Sequence, residues 1–229
     1  MELLKKLVDI LYPKRCPVCD GVLGNDNLIH NLCRTKLNYI NQDIVCLNCG
    51  RLSEVKDICN DCQSQEMNFN FGRSIFVYDN TMKLIIHRFK YSGKKEYSEF
   101  LGFELAKMYK KMNFDVDIIV PVPIHKNRYK KRGYNQSECL VIEMCKYLNI
   151  NYIKDVIIRG KDTLPQKNLT KNERQKNLYN SIIPSNMDLK NKKVLLIDDV
   201  YTTGATIDSC AKILKNMGAD KVYFLTLAS

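Results

Sequence analysis

The apolar positions of the chain change rhythm near residue 70. Beyond it, continuous apolar runs alternate with segments of helical spacing. Lys193-Val-Leu-Leu-Ile197 and Lys221-Val-Tyr-Phe-Leu-Thr-Leu227 are runs of strand length, and Asp117-Ile-Ile-Val-Pro-Val-Pro123 is another that closes on prolines. Runs without polar alternation suit strands covered on both faces. Ile75-Phe-Val-Tyr78, Val156-Ile-Ile158 and Ser181-Ile-Ile183 are shorter strand candidates. Between them, Leu101, Leu105, Met108 and Met112 repeat at helical spacing, as do Leu140, Val141, Met144 and Leu148. A further helix runs from Ile207 to Met217 and stops at Gly218. Strands alternating with helices predict an α/β fold, with a largely parallel sheet and helices on both faces. Ligands of such sheets bind beyond the carboxyl ends of the strands.

Before residue 70, cysteines rather than apolar residues set the period. Seven of the ten fall between Cys16 and Cys62. Cys16-Pro-Val-Cys19, Cys46-Leu-Asn-Cys49 and Cys59-Asn-Asp-Cys62 are CxxC pairs, and His30-Asn-Leu-Cys33 repeats the spacing with histidine first. Two donors three positions apart bite one ion from a tight turn, and closed four-ligand sets are structural zinc sites. The four pairs therefore make two sets, expected to hold two Zn²⁺. A redox CxxC and disulfides are the competing readings. Sequential pairing gives Cys16, Cys19, His30, Cys33 and then Cys46, Cys49, Cys59, Cys62. Alternating pairing would give a cross-braced module, but sequential pairing closes shorter loops and is preferred. A module of about 50 residues cannot bury a large core, so metal would supply much of its folding energy. Cys139, Cys145 and Cys210 lie among apolar residues and read as buried small hydrophobes. The expected organisation is a metal module over 1–66 and an α/β domain over 67–229.

The 229 residues carry a formal charge of +11. Residues 1–70 hold eight Lys and Arg against nine Asp and Glu, whereas residues 121–180 hold thirteen against five. The basic surface therefore belongs to the α/β part. No apolar run approaches the ~18 residues of a spanning helix, so membrane insertion is not expected. The stripe Leu3, Leu7, Ile10 reads as a short amphipathic helix. It is interrupted by Lys5, Lys6 and Asp9, unlike a signal peptide. With no export signal expected, the cysteines suit a reducing, cytoplasmic setting.

Most of the chemistry is concentrated in Val194-Leu-Leu-Ile-Asp198-Asp199-Val-Tyr201-Thr202-Thr203-Gly204-Ala205-Thr206. An apolar strand runs into two carboxylates, a Thr/Gly loop and a helix start. The loop offers backbone N–H groups, hydroxyls and the positive end of a helix, which cradle an anion. The carboxylates can accept hydrogen bonds from a diol. Together they suit a phosphorylated sugar.

The segment resembles the phosphoribosyl-pyrophosphate (PRPP) motif of type I phosphoribosyltransferases. That resemblance implies that Asp198 and Asp199 hold the ribose hydroxyls as the catalytic carboxylates. It implies that Tyr201, Thr202, Thr203, Gly204, Ala205 and Thr206 form the phosphate site, with Mg²⁺ accompanying PRPP. The run from Pro121 through Arg128 and Arg132-Gly-Tyr-Asn-Gln-Ser137 is more particular. With the cysteine pairs, His87-Arg-Phe-Lys-Tyr-Ser-Gly93, Thr163, Pro165, Leu169 and Asn177, it resembles the ComF/ComFC family of competence proteins over nearly the whole chain. Its departure is His30, where relatives usually carry cysteine.

The resemblance implies pyrophosphate or closing-loop roles for Pro123, Arg128, Arg132, Arg159, Gln166 and Arg174. It implies a hood around Phe89-Lys-Tyr91 that would choose the acceptor. It also implies DNA uptake during transformation, with single-stranded DNA and helicase and recombination proteins as partners. The basic run Lys126, Arg128, Lys130, Lys131 and Arg132, with Tyr129 and Tyr134, suits phosphate contacts and base stacking. Two activities stay open: phosphoribosyl transfer to an unnamed acceptor, and a non-catalytic nucleic-acid or protein adaptor that keeps the fold as scaffold or PRPP sensor. An ordinary salvage enzyme is a third, disfavoured by the metal module.

Overall fold

The computed structural model describes residues 13–24, 27–53, 57–148, 150–160 and 181–229. The stripe at Leu3, Leu7 and Ile10 and the candidates Gln166 and Arg174 lie outside them, as do Thr163, Pro165, Leu169 and Asn177. Two short helices belong to the cysteine-rich part, α1 (Asn31–Arg34) and α2 (Asn60–Gln63). The α/β part runs β1 (Phe71–Phe76), α3 (Asn80–Tyr91), α4 (Tyr97–Met112), β2 (Ile118–Pro121), α5 (Lys126–Arg132) and α6 (Gln136–Cys145). It continues with β3 (Ile157–Arg159), β4 (Ile182–Pro184), β5 (Lys193–Val200), α7 (Ala205–Asn216) and β6 (Lys221–Ala228).

Four strands form one parallel sheet in the order β1-β6-β5-β2. β3 and β4 pair separately as an antiparallel ribbon. The uninterrupted apolar runs are the two central strands, buried from Val194 to Ile197 and from Val222 to Leu227. Each sheet face has its own core. On one, Leu195, Ile197 and Leu225 meet Ile85, Phe89, Phe100, Leu105 and Leu140 from α3, α4 and α6. On the other, Val194, Leu196 and Phe224 meet Ile207, Ala211 and Leu214 of α7 and Ile157 and Ile182 of the ribbon. Each large apolar side chain buried in this way contributes about 1.5–3 kcal/mol.

Two helices differ from the expectations. α3 buries Met82, Ile85, Ile86 and Phe89, a helical stripe of which the expectations named only Phe89, in the family motif, and Asp79 Oδ1 caps it by accepting from Met82 N at 2.9 Å. α5 buries no side chain, so no apolar periodicity marks it. Its ends do: His125 Nδ1 accepts from Asn127 N at 3.1 Å, and Gly133 stops it at φ +85°. The first strand lies at 71–76 rather than 75–78, because Phe71 and Gly72 already pair with Tyr223 and Phe224.

Candidate functional site

β5 and β2 run side by side, with Ile197 opposite Pro121, so both carboxyl ends open at the same edge of the molecule. Val122 N donates to Ile197 O at 3.0 Å and Asn135 Nδ2 donates to Val122 O at 3.1 Å. These bonds hold the turn carrying Pro123 beside the end of β5. Asp198 and Asp199 lie near the carboxyl end of β5 and are both buried. Successive strand residues face opposite sides, yet the partners of both come from helices of the same layer, Ser137 from α6 and Lys90 from α3. Asp198 Oδ1 accepts from Ser137 Oγ and from Asp199 N, each at 2.9 Å. Asp199 Oδ2 lies 2.6 Å from Lys90 Nζ, from the last turn of α3, outside hydrogen-bonding angles. Burial, then the neighbouring Asp199 charge, pushes the Asp198 carboxyl up to about 7, against the pull of Lys90 and the two donors. Burial alone would lower the Lys90 ammonium, but the facing carboxylates outweigh it and hold it above its ordinary value.

The Thr/Gly loop follows directly. Thr202 and Thr203 are exposed, whereas Gly204 is buried at φ +77° and caps α7. A Cβ at Gly204 would stand 2.4 Å from Tyr201 Oη, so only glycine fits there. Tyr201 itself is buried under the loop, stacked on Phe224 at 4.8 Å and 9°. Its ring is a floor for the loop. The backbone N–H groups at the start of α7 lie above it, the usual anion-binding end of a helix.

The basic candidates divide. Lys126, Arg128, Lys130 and Lys131 are exposed on α5, and Tyr129 is exposed with them. Arg132 turns inward instead, donating to Gln136 Oε1, with its guanidinium 5.4 Å from the Tyr91 ring centre. Tyr134 is buried against Phe89 and donates to its carbonyl, so it is not available for stacking. Arg159, half-buried, lines a cavity of about 410 Å³ with Pro121, Pro123, Tyr129, Lys130 and Ile158. Lys90 and Ser137 escaped identification as site residues. Lys90 sits in the hood segment and Ser137 at the end of the Arg-Gly-Tyr-Asn-Gln-Ser run, but neither motif says which side chain turns to the carboxylates.

The cysteine pairs come together sequentially. Cys16, Cys19, His30 and Cys33 form one group, and Cys46, Cys49, Cys59 and Cys62 the other, with all donor atoms in each group within 4.8 Å of one another. Thiolates ~2.3 Å from one tetrahedral Zn²⁺ would lie about 3.8 Å apart, and Cys49 Sγ and Cys59 Sγ are 3.8 Å apart. His30 Nδ1 is 3.3 Å from Cys19 Sγ, while its Nε2 faces Val22 O at 3.0 Å. That outer contact leaves Nδ1 as the inward donor, the arrangement that orients ligating imidazoles. Amides of Cys49 and Cys59 point at Cys46 Sγ at 3.5 and 3.3 Å, suiting a thiolate. Both donor sets fit structural zinc.

Comparison with known proteins agrees with these two parts. Residues 7–63 match the model of the double zinc ribbon domain, and residues 140–229 that of the phosphoribosyl transferase domain. Competence protein F of Haemophilus influenzae is 29% identical over 220 residues, covering 92% of this chain and 96% of that protein. The DNA utilization protein YhgH of Escherichia coli O157:H7 is 26% identical over 184 residues, covering 78% and 81%. Competence protein ComFC of Streptococcus pneumoniae is 33% identical over 210 residues, covering 89% of each chain. With this identity along most of its length, the chain belongs to the ComF/ComFC family.

Proposed function

We propose that the chain binds PRPP with Mg²⁺ at the carboxyl ends of β2 and β5 and acts in the uptake or processing of single-stranded DNA. The observation that carries the first part is the convergence of the buried pair Asp198 and Asp199 with the glycine-capped start of α7. The carboxylates would accept from the ribose 2′- and 3′-hydroxyls, and Thr202 to Thr206 would hold the 5′-phosphate. Hard oxygen donors of this kind suit Mg²⁺. When bound, the ion would spread the charge of the pyrophosphate. In transfer, an acceptor forms a bond to C1 as the C1–O bond to pyrophosphate breaks, and the electron pair leaves with pyrophosphate. Lys90 would neutralise one carboxylate until the sugar and ion replace it, and Arg128 and Arg159 would draw the leaving group's charge. Gln166 and Arg174 stay candidates for a closing loop.

Calorimetric titration of PRPP with Mg²⁺ tests this. Wild type should bind, and Asp198→Asn/Asp199→Asn should lose binding while keeping its fold. A well-folded wild type that does not bind would refute the reading.

The names of the relatives, competence and DNA utilization proteins, support the DNA part; helicase and recombination proteins as partners are proposed from the family resemblance alone. A second reading, a non-catalytic adaptor, is favoured by one observation: four cations and Tyr129 exposed together on α5. Neutralising Lys126, Lys130 and Lys131 should weaken binding to single strands. It should also lower the slope of log affinity against log salt by about 0.7 for each phosphate no longer neutralised. An unchanged slope would take α5 out of the DNA path. Among the described residues no helix is long and apolar enough to cross a membrane.

A further inference from the structure

The second zinc ribbon reaches the phosphate loop through one side chain. Arg51 follows the first cysteine pair of that ribbon, and its carbonyl accepts from Cys46 N at 2.8 Å. Its Nη1 bonds Asp61 Oδ2 at 3.0 Å, and Asp61 lies between Cys59 and Cys62. Both cysteine pairs thus bear on the orientation of one guanidinium. The same group donates from Nη2 to the Thr202 carbonyl and lies 5.6 Å from the centre of the Tyr201 ring. Arg51 therefore holds the outer end of the loop whose inner end is fixed by Gly204 on Tyr201.

We propose that Arg51 is a positioning residue for the 5′-phosphate, and that the second zinc ribbon is a built part of the phosphate loop. The chemistry is direct. A phosphate cradle needs N–H groups facing the anion and carbonyls turned away. Arg51 engages the Thr202 carbonyl from the ribbon side, which fixes the peptide plane with its oxygen away from the anion. It also brings a permanent positive charge to a loop that has none of its own between Tyr201 and Thr206. The ion chelated by the two cysteine pairs would hold the Arg51–Asp61 geometry and thereby the loop. The first ribbon packs instead with α3 and α4, on the other face of the sheet, so its metal should not matter to phosphate.

The inference rests on the proposed PRPP reading, and one experiment separates the two. The full chain, with zinc content measured, is titrated with Mg²⁺-PRPP and, separately, with Mg²⁺-pyrophosphate. Pyrophosphate would use the turn after β2 and serves as an internal control. Arg51→Ala should weaken PRPP about tenfold, the scale of a missing charged hydrogen bond, while pyrophosphate affinity and zinc content stay as in wild type. Arg51→Lys, which keeps charge but cannot grip Asp61 and Thr202 together, should fall between. Asp61→Asn should also weaken PRPP, by less. Unchanged PRPP affinity in Arg51→Ala would overturn the proposal. So would an equal weakening of both ligands, which marks general disruption. A wild type that binds pyrophosphate but not PRPP would overturn the parent reading and this one with it.

Discussion

The two zinc ribbons have the same ligand spacing and opposite attachments. The first leans on the helical face chiefly through side chains, although Arg88 Nη1 also donates to its Val18 carbonyl at 3.2 Å. Asp20 accepts from Tyr97 Oη at 2.7 Å and pairs with Lys94 at 2.9 Å, Lys14 pairs with Glu99 at 2.7 Å, and Arg34 with Glu104 at 3.1 Å. Its apolar residues Leu23, Ile29 and Leu37 join the core of α3 and α4. The second docks through backbone. Gly72 N donates to Asn48 O at 2.8 Å, and Arg73 Nη1 donates to Leu47 O at 3.2 Å. Cys46, Cys49 and Phe69 join the opposite core, beside α7. Exposed pairs such as Lys14–Glu99 are worth about 0–1 kcal/mol each, whereas Glu104 is buried and its pair with Arg34 costs more to break, so the first attachment relies on its apolar patch and on Glu104. Bonds to the backbone fix position more strictly. The difference teaches that a repeated metal module can be a brace in one copy and a piece of the ligand site in the next.

The largest effect should come from the glycines of the two ribbons. Gly50 adopts φ +68°, and a Cβ there would stand 2.4 Å from the Gly72 carbonyl oxygen. Gly50→Ala should cost several kcal/mol, lowering the thermal midpoint by about 2–4 °C per kcal/mol. In the first ribbon Asp20, at φ +60°, stands where Gly50 does, and its glycine, Gly21, comes one position later, where a Cβ would meet only the edges of Cys19 and His30 at 3.3 Å. Gly21→Ala should shift the midpoint far less. Comparable shifts, followed by circular dichroism in excess zinc, would break the contrast.

Acid should act on the two sides with opposite sign. The folded chain protonates Asp198 at about 7, above the ordinary 3.8, so it holds an extra proton between those values. Its contribution to stability therefore falls as pH rises through that window. Asp198→Asn should be more stable than wild type at pH 8, with the gap closing toward pH 4. On the first ribbon, burial works to raise Asp20, but hydrogen bonds from Lys94 and Tyr97 outweigh it and hold it low. Its stabilisation is present above the ordinary carboxylate range and is lost as pH falls through its lowered value. Asp20→Asn should be less stable than wild type at pH 7, and the gap should vanish in strong acid. Thermal midpoints from pH 3 to 8 read both. Smallest of all, Tyr97→Phe removes one hydrogen bond and should cost about 0.5–1.5 kcal/mol by denaturant unfolding. A larger cost would show that the first ribbon is anchored more firmly than its side-chain bonds imply.

Much of this was legible in the residues because its determinants are local. The donors of each metal group span fewer than twenty positions, and the carboxylates, loop and helix start are one continuous segment. The central strands were legible because burial on both faces leaves no polar interruption. Contacts between distant segments were not. Nothing at Arg51 marks it for Thr202, 151 residues away. Lys90 meets Asp199 only because α3 ends where β5 ends. α5 was hidden for another reason: a helix that buries nothing carries no periodicity, and only its caps betray it.

The order of strands has a kinetic consequence. β6 lies between β1 and β5, and Ser74 meets Thr226 across 152 residues. Pairings that distant are slow to form, because a long loop must close before any contact rewards it. The chelating loops are far shorter and close early. Metal capture should therefore precede sheet assembly, with both ribbons waiting as preformed surfaces onto which the late sheet condenses. Chelator present during refolding should then slow recovery more than the same chelator added to the finished fold.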